Sequence, residues 1–134
     1  MKKNSTVYIY LKQFVKSSKV LLCAHESVLK AIGIVSGRSI AKKQLCKDDN
    51  VHYFIKNKHL GDAVRTIPAI SMFKHYQNSE GVRTKIVVLT RKNLVGLLKC
   101  CEEIDEIRVF SEKELERLQW YAKNKNNAYH IHPD

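Results

Sequence analysis

The sequence predicts an α/β fold, a parallel sheet covered by helices, preceded by a basic, mostly helical extension. Three observations carry that reading. The rhythm of apolar residues changes near position 50. After it, short apolar runs alternate with amphipathic segments, the pattern of strand–helix–strand chains. One of those runs, "KIVVLT" (85–90), is β-branched and nearly continuous, as a strand buried on both faces must be.

Residues 1–50 form the first region. Val20, Leu21, Val28, Leu29, Ile32 and Val35 recur at three- and four-residue steps, which predicts helix, and Gly37 offers a stop. "GRSIAKKQLCKDDN" reads as a polar connector ending in a turn at Asp48, Asp49 and Asn50. The second region, 51–134, opens with a strand at "VHYFI" (51–55). A Gly61-Asp62 turn follows, and then a helix through about Tyr76. After "KIVVLT", the segment "RKNLVGLLKCC" (91–101) sets Leu94, Leu97, Leu98 and Cys101 on one helical face, with Gly96 costing it about 1 kcal/mol. "EIRVF" (106–110) reads as a third strand. "SEKELERLQWYAKN" (111–124) is a helix with Ser111 and Glu114 at capping-box spacing, and "AYHIH" (128–132) is a fourth strand. Such an order predicts a parallel sheet, whose ligands sit at the carboxyl ends of the strands.

Charge and cysteine usage narrow the classes. The net charge is +11 over 134 residues, with 44% apolar content, enough for one core. Residues 1–50 hold ten Lys/Arg against three Asp/Glu, and the remainder fourteen against ten, so the basic character belongs to the N-terminal region. That suits a phosphate-bearing partner: nucleic acid, anionic headgroups or a phosphorylated substrate. Cys23, Cys46, Cys100 and Cys101 lack zinc-site spacing, which predicts a reducing, cytoplasmic setting. Lysines break every apolar run at the N-terminus, which argues against a signal peptide and against a continuous span of about 18 apolar residues.

The Gly61-Asp62 turn is the candidate site. Gly61 permits a positive φ or the close approach of a ligand. Asp62 stands where a helix N-cap belongs, and an ionised carboxylate there either caps the helix or takes a proton from a substrate hydroxyl. Thr66 and Pro68 fit the first turns of the helix, Thr66 as a cap or a hydroxyl ligand. Lys58 and Arg65 face phosphate or water, and His59 lies within ligand reach in the loop. The turn is neither a dinucleotide fingerprint nor a Walker loop.

"KHLGDAVRTIPAISMFKHY", followed by "TKIVVLTRKNLVGLLKCCEEIDEIRVF", resembles the N-terminal half of family 9 glycosyltransferases, the heptosyltransferase-like enzymes. The matching features are Gly61-Asp62, then Thr66, Ile67, Pro68 and Ala69, with Ile67 inserted where the family often has Thr next to Pro. The acidic lead-in Ile104-Asp105-Glu106-Ile107 to the third strand also matches, and the likeness covers roughly 51–132. The resemblance implies a Rossmann-like sheet, incomplete here, as the acceptor-side half of a GT-B architecture. It implies Asp62 as general base in inverting transfer from a nucleotide-sugar donor to a glycan or lipid-linked acceptor. Gly61, Lys58, His59, Arg65 and Thr66 would contact substrate. No cofactor and no metal is implied, the nucleotide sugar being a substrate. The family's donor-binding C-terminal domain has no counterpart in this sequence, so a truncated chain, a remnant or one half of a split enzyme is expected.

Other chemistry is less well supported by the residues. His130 and His132 alternate as a two-residue zinc arm would, without a third ligand at a recognisable spacing. A nucleic-acid-binding module is the rival function; the charge supports it, but no stacking platform or helix-turn-helix pattern accompanies it. The N-terminal basic segment is expected to touch anionic membrane, at its cytoplasmic face, where a lipid-linked acceptor would lie.

Overall fold

A computed structural model of the chain describes residues 4–57, 59–124 and 128–134, with side chains described from Lys16 onward. The elements run α1 (Asn4–Gln44), β1 (Val51–Lys56), α2 (Leu60–Ser79), β2 (Lys85–Thr90), a 3-10 turn (Lys92–Leu94), α3 (Val95–Leu98), β3 (Glu106–Val109), α4 (Glu112–Ala122) and β4 (Ile131–His132). The fold is α/β. All four strands are parallel, in the order β3-β2-β1-β4. That is the order of the first four strands of a doubly wound sheet and is compatible with a partial Rossmann-like fold.

The order dictates where the helices lie. The chain moves from β1 to β2 to β3 in one direction, so right-handed connections put α2 and α3 on one face. It then returns past β2 and β1 to reach β4, so α4 covers the opposite face. The two cores follow this division. Ile86 and Val88 of β2 pack with Ala63 and Ile70 of α2 and with Leu94 and Leu98. Tyr53, Ile55, Val87 and Leu89 pack with Leu115, Leu118 and Tyr121 of α4 and with Ala41 and Leu45. β2 is central, and after Lys85 every residue of it is buried. Its uninterrupted apolar run is therefore matched by burial on both faces.

The chain divides into two compact units, Met1–Ile32 and Gly33–Asp134, with the division inside α1. In the first unit Val20, Leu21, Leu22, Val28, Leu29 and Ile32 are all exposed. The stretch Lys16–Gln44 is long and apolar enough, by length and composition, to cross a membrane, because the residues that interrupt its apolar runs are too few to lower its average. In the second unit the last turns of α1 pack on the sheet through Ala41, with Leu45 just beyond the helix.

Gly37 does not stop α1. A Cβ there would lie 2.1 Å from the Arg117 carbonyl oxygen and 2.9 Å from the Tyr121 Cβ, so the glycine lets α1 and α4 meet backbone to backbone. Three other elements also differ from their sequence pattern. Residues 91–101 form a 3-10 turn and a single α-turn rather than one helix; β4 spans two residues rather than five; and α2 runs on to Ser79. The α4 capping box forms as its spacing predicts. Ser111 Oγ accepts from the Glu114 amide, and the Glu114 carboxylate accepts from the Ser111 amide at 2.9 Å.

Candidate functional site at the carboxyl edge of the sheet

β1 and β4 are neighbours joined by chain that travels in opposite directions on either side of them, so the gap beyond their carboxyl ends is a topological switch point. The pairing Phe54↔His132 carries Lys56 opposite Asp134. Lys56 Nζ lies 2.8 Å from Asp134 Oδ1, with side chains only 6% and 7% exposed. The Asn57 amide donates to Asp134 Oδ2 at 3.2 Å. The Gln119 side chain of α4 clamps the Asp134 backbone, its Nε2 donating to the carbonyl at 2.9 Å and its Oε1 accepting from the amide at 3.1 Å. Thr90, fully buried at the end of β2, donates its hydroxyl to the Lys56 carbonyl at 2.9 Å. Three strand ends are thereby tied together by polar groups. Sequence reading missed this cluster. Its one local signal is a lysine closing an otherwise apolar strand.

The expected turn borders this edge, with different local geometry. The N-cap of α2 is His59, with φ −65° and ψ 160°, and no side chain caps the helix. The His59 carbonyl accepts from the Asp62 and Ala63 amides at 3.1 and 3.2 Å. Asp62 is thus the third residue of the helix and not its N-cap, because the helix starts two residues earlier, at Leu60. Its half-buried carboxylate makes no hydrogen bond or ion pair with a side chain among the described residues.

Gly61 has helical backbone with no positive φ, and a Cβ there would meet nothing within 4 Å, so the space above it is open. Thr66 spends its hydroxyl proton on the Asp62 and Ala63 carbonyls, at 2.8 and 3.0 Å. Arg65 and His59 are exposed. Lys58 lies outside the described residues. Thr66 and Pro68 are expected in the first turns of the helix; Pro68 is its ninth residue, where it withholds the amide that the Val64 carbonyl would otherwise receive.

No family model, curated protein or solved structure matches this chain. The likeness to family 9 glycosyltransferases therefore stands on the residues quoted for it alone.

A histidine-aromatic cluster occupies the α2 face between β1 and β4. His52 Nδ1 and His132 Nε2 are 3.0 Å apart, so one ring donates to the other. The His132 ring stacks on Phe54, with centroids 4.5 Å apart, and both rings meet Phe73 edge-on. Burial, then the nearby His52 and His130, pushes His132 down to about 4; burial, then His130, lowers His52. Both rings are held neutral at pH 7. His130 precedes the two-residue strand with φ 48°, and its Nε2 lies 3.4 Å from Asp49 Oδ1. The partner of His132 is thus His52, from a strand 80 residues away, rather than His130. Among the described residues no three His, Cys, Asp or Glu side chains converge to hold a metal.

Proposed function

We propose that residues 51–134 are the acceptor-side part of an inverting glycosyltransferase of GT-B type, with Asp62 as general base. The observation that supports this most is the Asp62 carboxylate. It sits in the first turn of a 20-residue helix, at the carboxyl edge of a parallel sheet, without a side-chain partner among the described residues. A carboxylate that, among the described residues, neither caps nor pairs is available to accept a proton. The acceptor hydroxyl gives its proton to Asp62 as its oxygen attacks the anomeric carbon of the sugar. The bond to the nucleoside diphosphate breaks on the opposite face, so the configuration inverts. Open space above Gly61 admits the acceptor, and Arg65 and Lys58 offer positive charge to its phosphates or to those of the donor. On this reading the donor nucleotide is held by a second domain, outside residues 51–134. The exposed apolar stretch of α1 suits work at the cytoplasmic surface of a membrane, on a lipid-linked acceptor.

The test is sugar transfer by this chain together with a donor-binding partner, comparing Asp62 with Asp62→Ala and Asp62→Asn. Loss of transfer in both variants, with acceptor binding kept, is the expected result. Transfer that survives Asp62→Ala would place the base elsewhere. Absence of both transfer and acceptor binding would leave an inactive remnant.

A further inference from the structure

The opposite edge of the same sheet carries a different feature. Leu45 and Lys47 precede β1, Ala128 and Tyr129 precede β4, and Tyr121 closes α4, which runs back toward these amino ends. With Arg38 and Lys42 of α1 they line a cleft of about 580 Å³. Arg38 and Lys42 are one turn apart on the same helical face. Lys47 Nζ lies 5.4 Å from the centre of the Tyr129 ring. Leu45, Tyr121 and Tyr129, which share the lining, are all buried.

The charges in this cleft are unbalanced. Elsewhere in the unit Lys56, Lys74, Lys85, Arg91 and Arg108 each have a carboxylate within 4 Å. Arg38, Lys42 and Lys47 have none among the described residues. Unpaired lysines are ordinary on convex surfaces, where water screens them. Three cationic residues lining one concave space repel one another, and a ligand of opposite charge relieves that repulsion. An arginine beside two lysines supplies both a planar fork and point charges, the donor set that phosphate oxygens take. Three positive charges match a group carrying two or three negative ones, and the cleft is larger than a diphosphate, leaving the Tyr129 wall for whatever that phosphate is attached to.

We infer that the cleft of Arg38, Lys42, Lys47 and Tyr129 is a binding site for a phosphate-bearing anion of diphosphate size. It is separated from Asp62 by the length of β1, about 20 Å, and does not rest on the transfer reading. The phosphate comes either from a soluble compound or from a lipid headgroup, and the test separates the two.

The full chain is titrated calorimetrically with inorganic pyrophosphate, and in parallel with vesicles of phosphatidylcholine with and without phosphatidylglycerol. Lys42→Ala, Lys47→Ala and their double variant are compared with Lys92→Ala, an exposed lysine outside the cleft; circular dichroism verifies that each is folded. Saturable pyrophosphate binding, weakened roughly tenfold by either cleft substitution and unchanged by Lys92→Ala, is the expected result. If phosphatidylglycerol vesicles then lose binding in the double variant and are displaced by pyrophosphate, the phosphate is a headgroup. If vesicle binding ignores the cleft variants while pyrophosphate binding does not, the source is soluble. Pyrophosphate and vesicle titrations that are both indifferent to Lys42 and Lys47 would overturn the site.

Discussion

Replacing Lys56 by Met tests whether the switch point is a buried polar knot or merely a wet edge. The side chains of Lys56 and Asp134 are 6% and 7% exposed, so deleting the ammonium leaves a carboxylate that water reaches poorly. Stranding one member of a buried pair costs about 3–5 kcal/mol. The Asn57 amide still donates to Asp134 Oδ2, which argues for the lower end, about 3 kcal/mol. For a unit of this size that lowers Tm by roughly 12–24 °C. Asp134→Asn alone strands the ammonium instead and should cost a similar amount. Together the two substitutions leave no charge behind, and the double variant should recover to within about 1 kcal/mol of the parent. The assay is urea unfolding of all four proteins at pH 7, read as a double-mutant cycle. Single variants that each cost less than about 1 kcal/mol, with no coupling, would refute the reasoning, since that is how a solvent-screened surface pair behaves.

Further expectations follow from other contacts. Gly37→Ala should destabilise by about 3 kcal/mol or more, because the added methyl meets the backbone carbonyl of Arg117 rather than a movable side chain; thermal unfolding reads it. Asp62→Ala should change stability by less than about 0.5 kcal/mol, since the carboxylate caps nothing, while it abolishes transfer if the proposed chemistry holds. Ser111→Ala removes the hydroxyl that accepts from the Glu114 amide, while the backbone amide at 111 can still donate to the Glu114 carboxylate, and should cost about 1 kcal/mol in the same unfolding assay. The pH dependence follows from His132, which is lowered from 6.5 to about 4. The unfolded chain therefore binds its proton first, so the contribution is full above pH 6.5 and is lost as pH falls toward 4. A shift of that size corresponds to about 3 kcal/mol, which screening at a partly exposed ring reduces to about 1–2 kcal/mol. His132→Phe should flatten stability between pH 7 and pH 4, and an unchanged slope would assign the acid loss to other groups.

How much of this was legible depended on how locally each feature is encoded. β2 could be read because burial on both faces demands a continuous apolar run, and "IVVL" supplies one. The start of α4 could be read because the reciprocal bonds of Ser111 and Glu114 lie within one turn. Gly37 was misread because a glycine that ends a helix and one that admits a neighbouring helix look alike in sequence; only the Arg117 carbonyl distinguishes them. The α2 start was placed at Asp62 because aspartate is a favoured cap, yet the helix begins at Leu60 behind a His59 that offers no side-chain bond. The His52–His132 and Lys56–Asp134 pairs were beyond reach, since each depends on which strands become neighbours. At the carboxyl edge, the end of β1 and a helix after it were therefore readable, whereas the first residue of that helix and the pairs that tie the strand ends together were not.

The Lys56–Asp134 contact joins residues 78 positions apart, across the longest excursion the sheet makes. β1 and β2 are linked by one helix and can pair early, whereas β4 must wait for a loop of that length to close. The entropy of such closure grows only slowly with length, but it is lost before any bond with β4 is gained. The two-residue β4 recovers little of it through its short ladder, leaving the buried ion pair and the Gln119 clamp to hold the strand in place. Amides at the β1–β4 seam should therefore exchange with solvent through partial openings that leave the β1–β2–β3 ladder closed. The β1–β4 seam should accordingly close last and open first, and a molecule bound across it would act as a fastener on the slowest-forming part of the sheet.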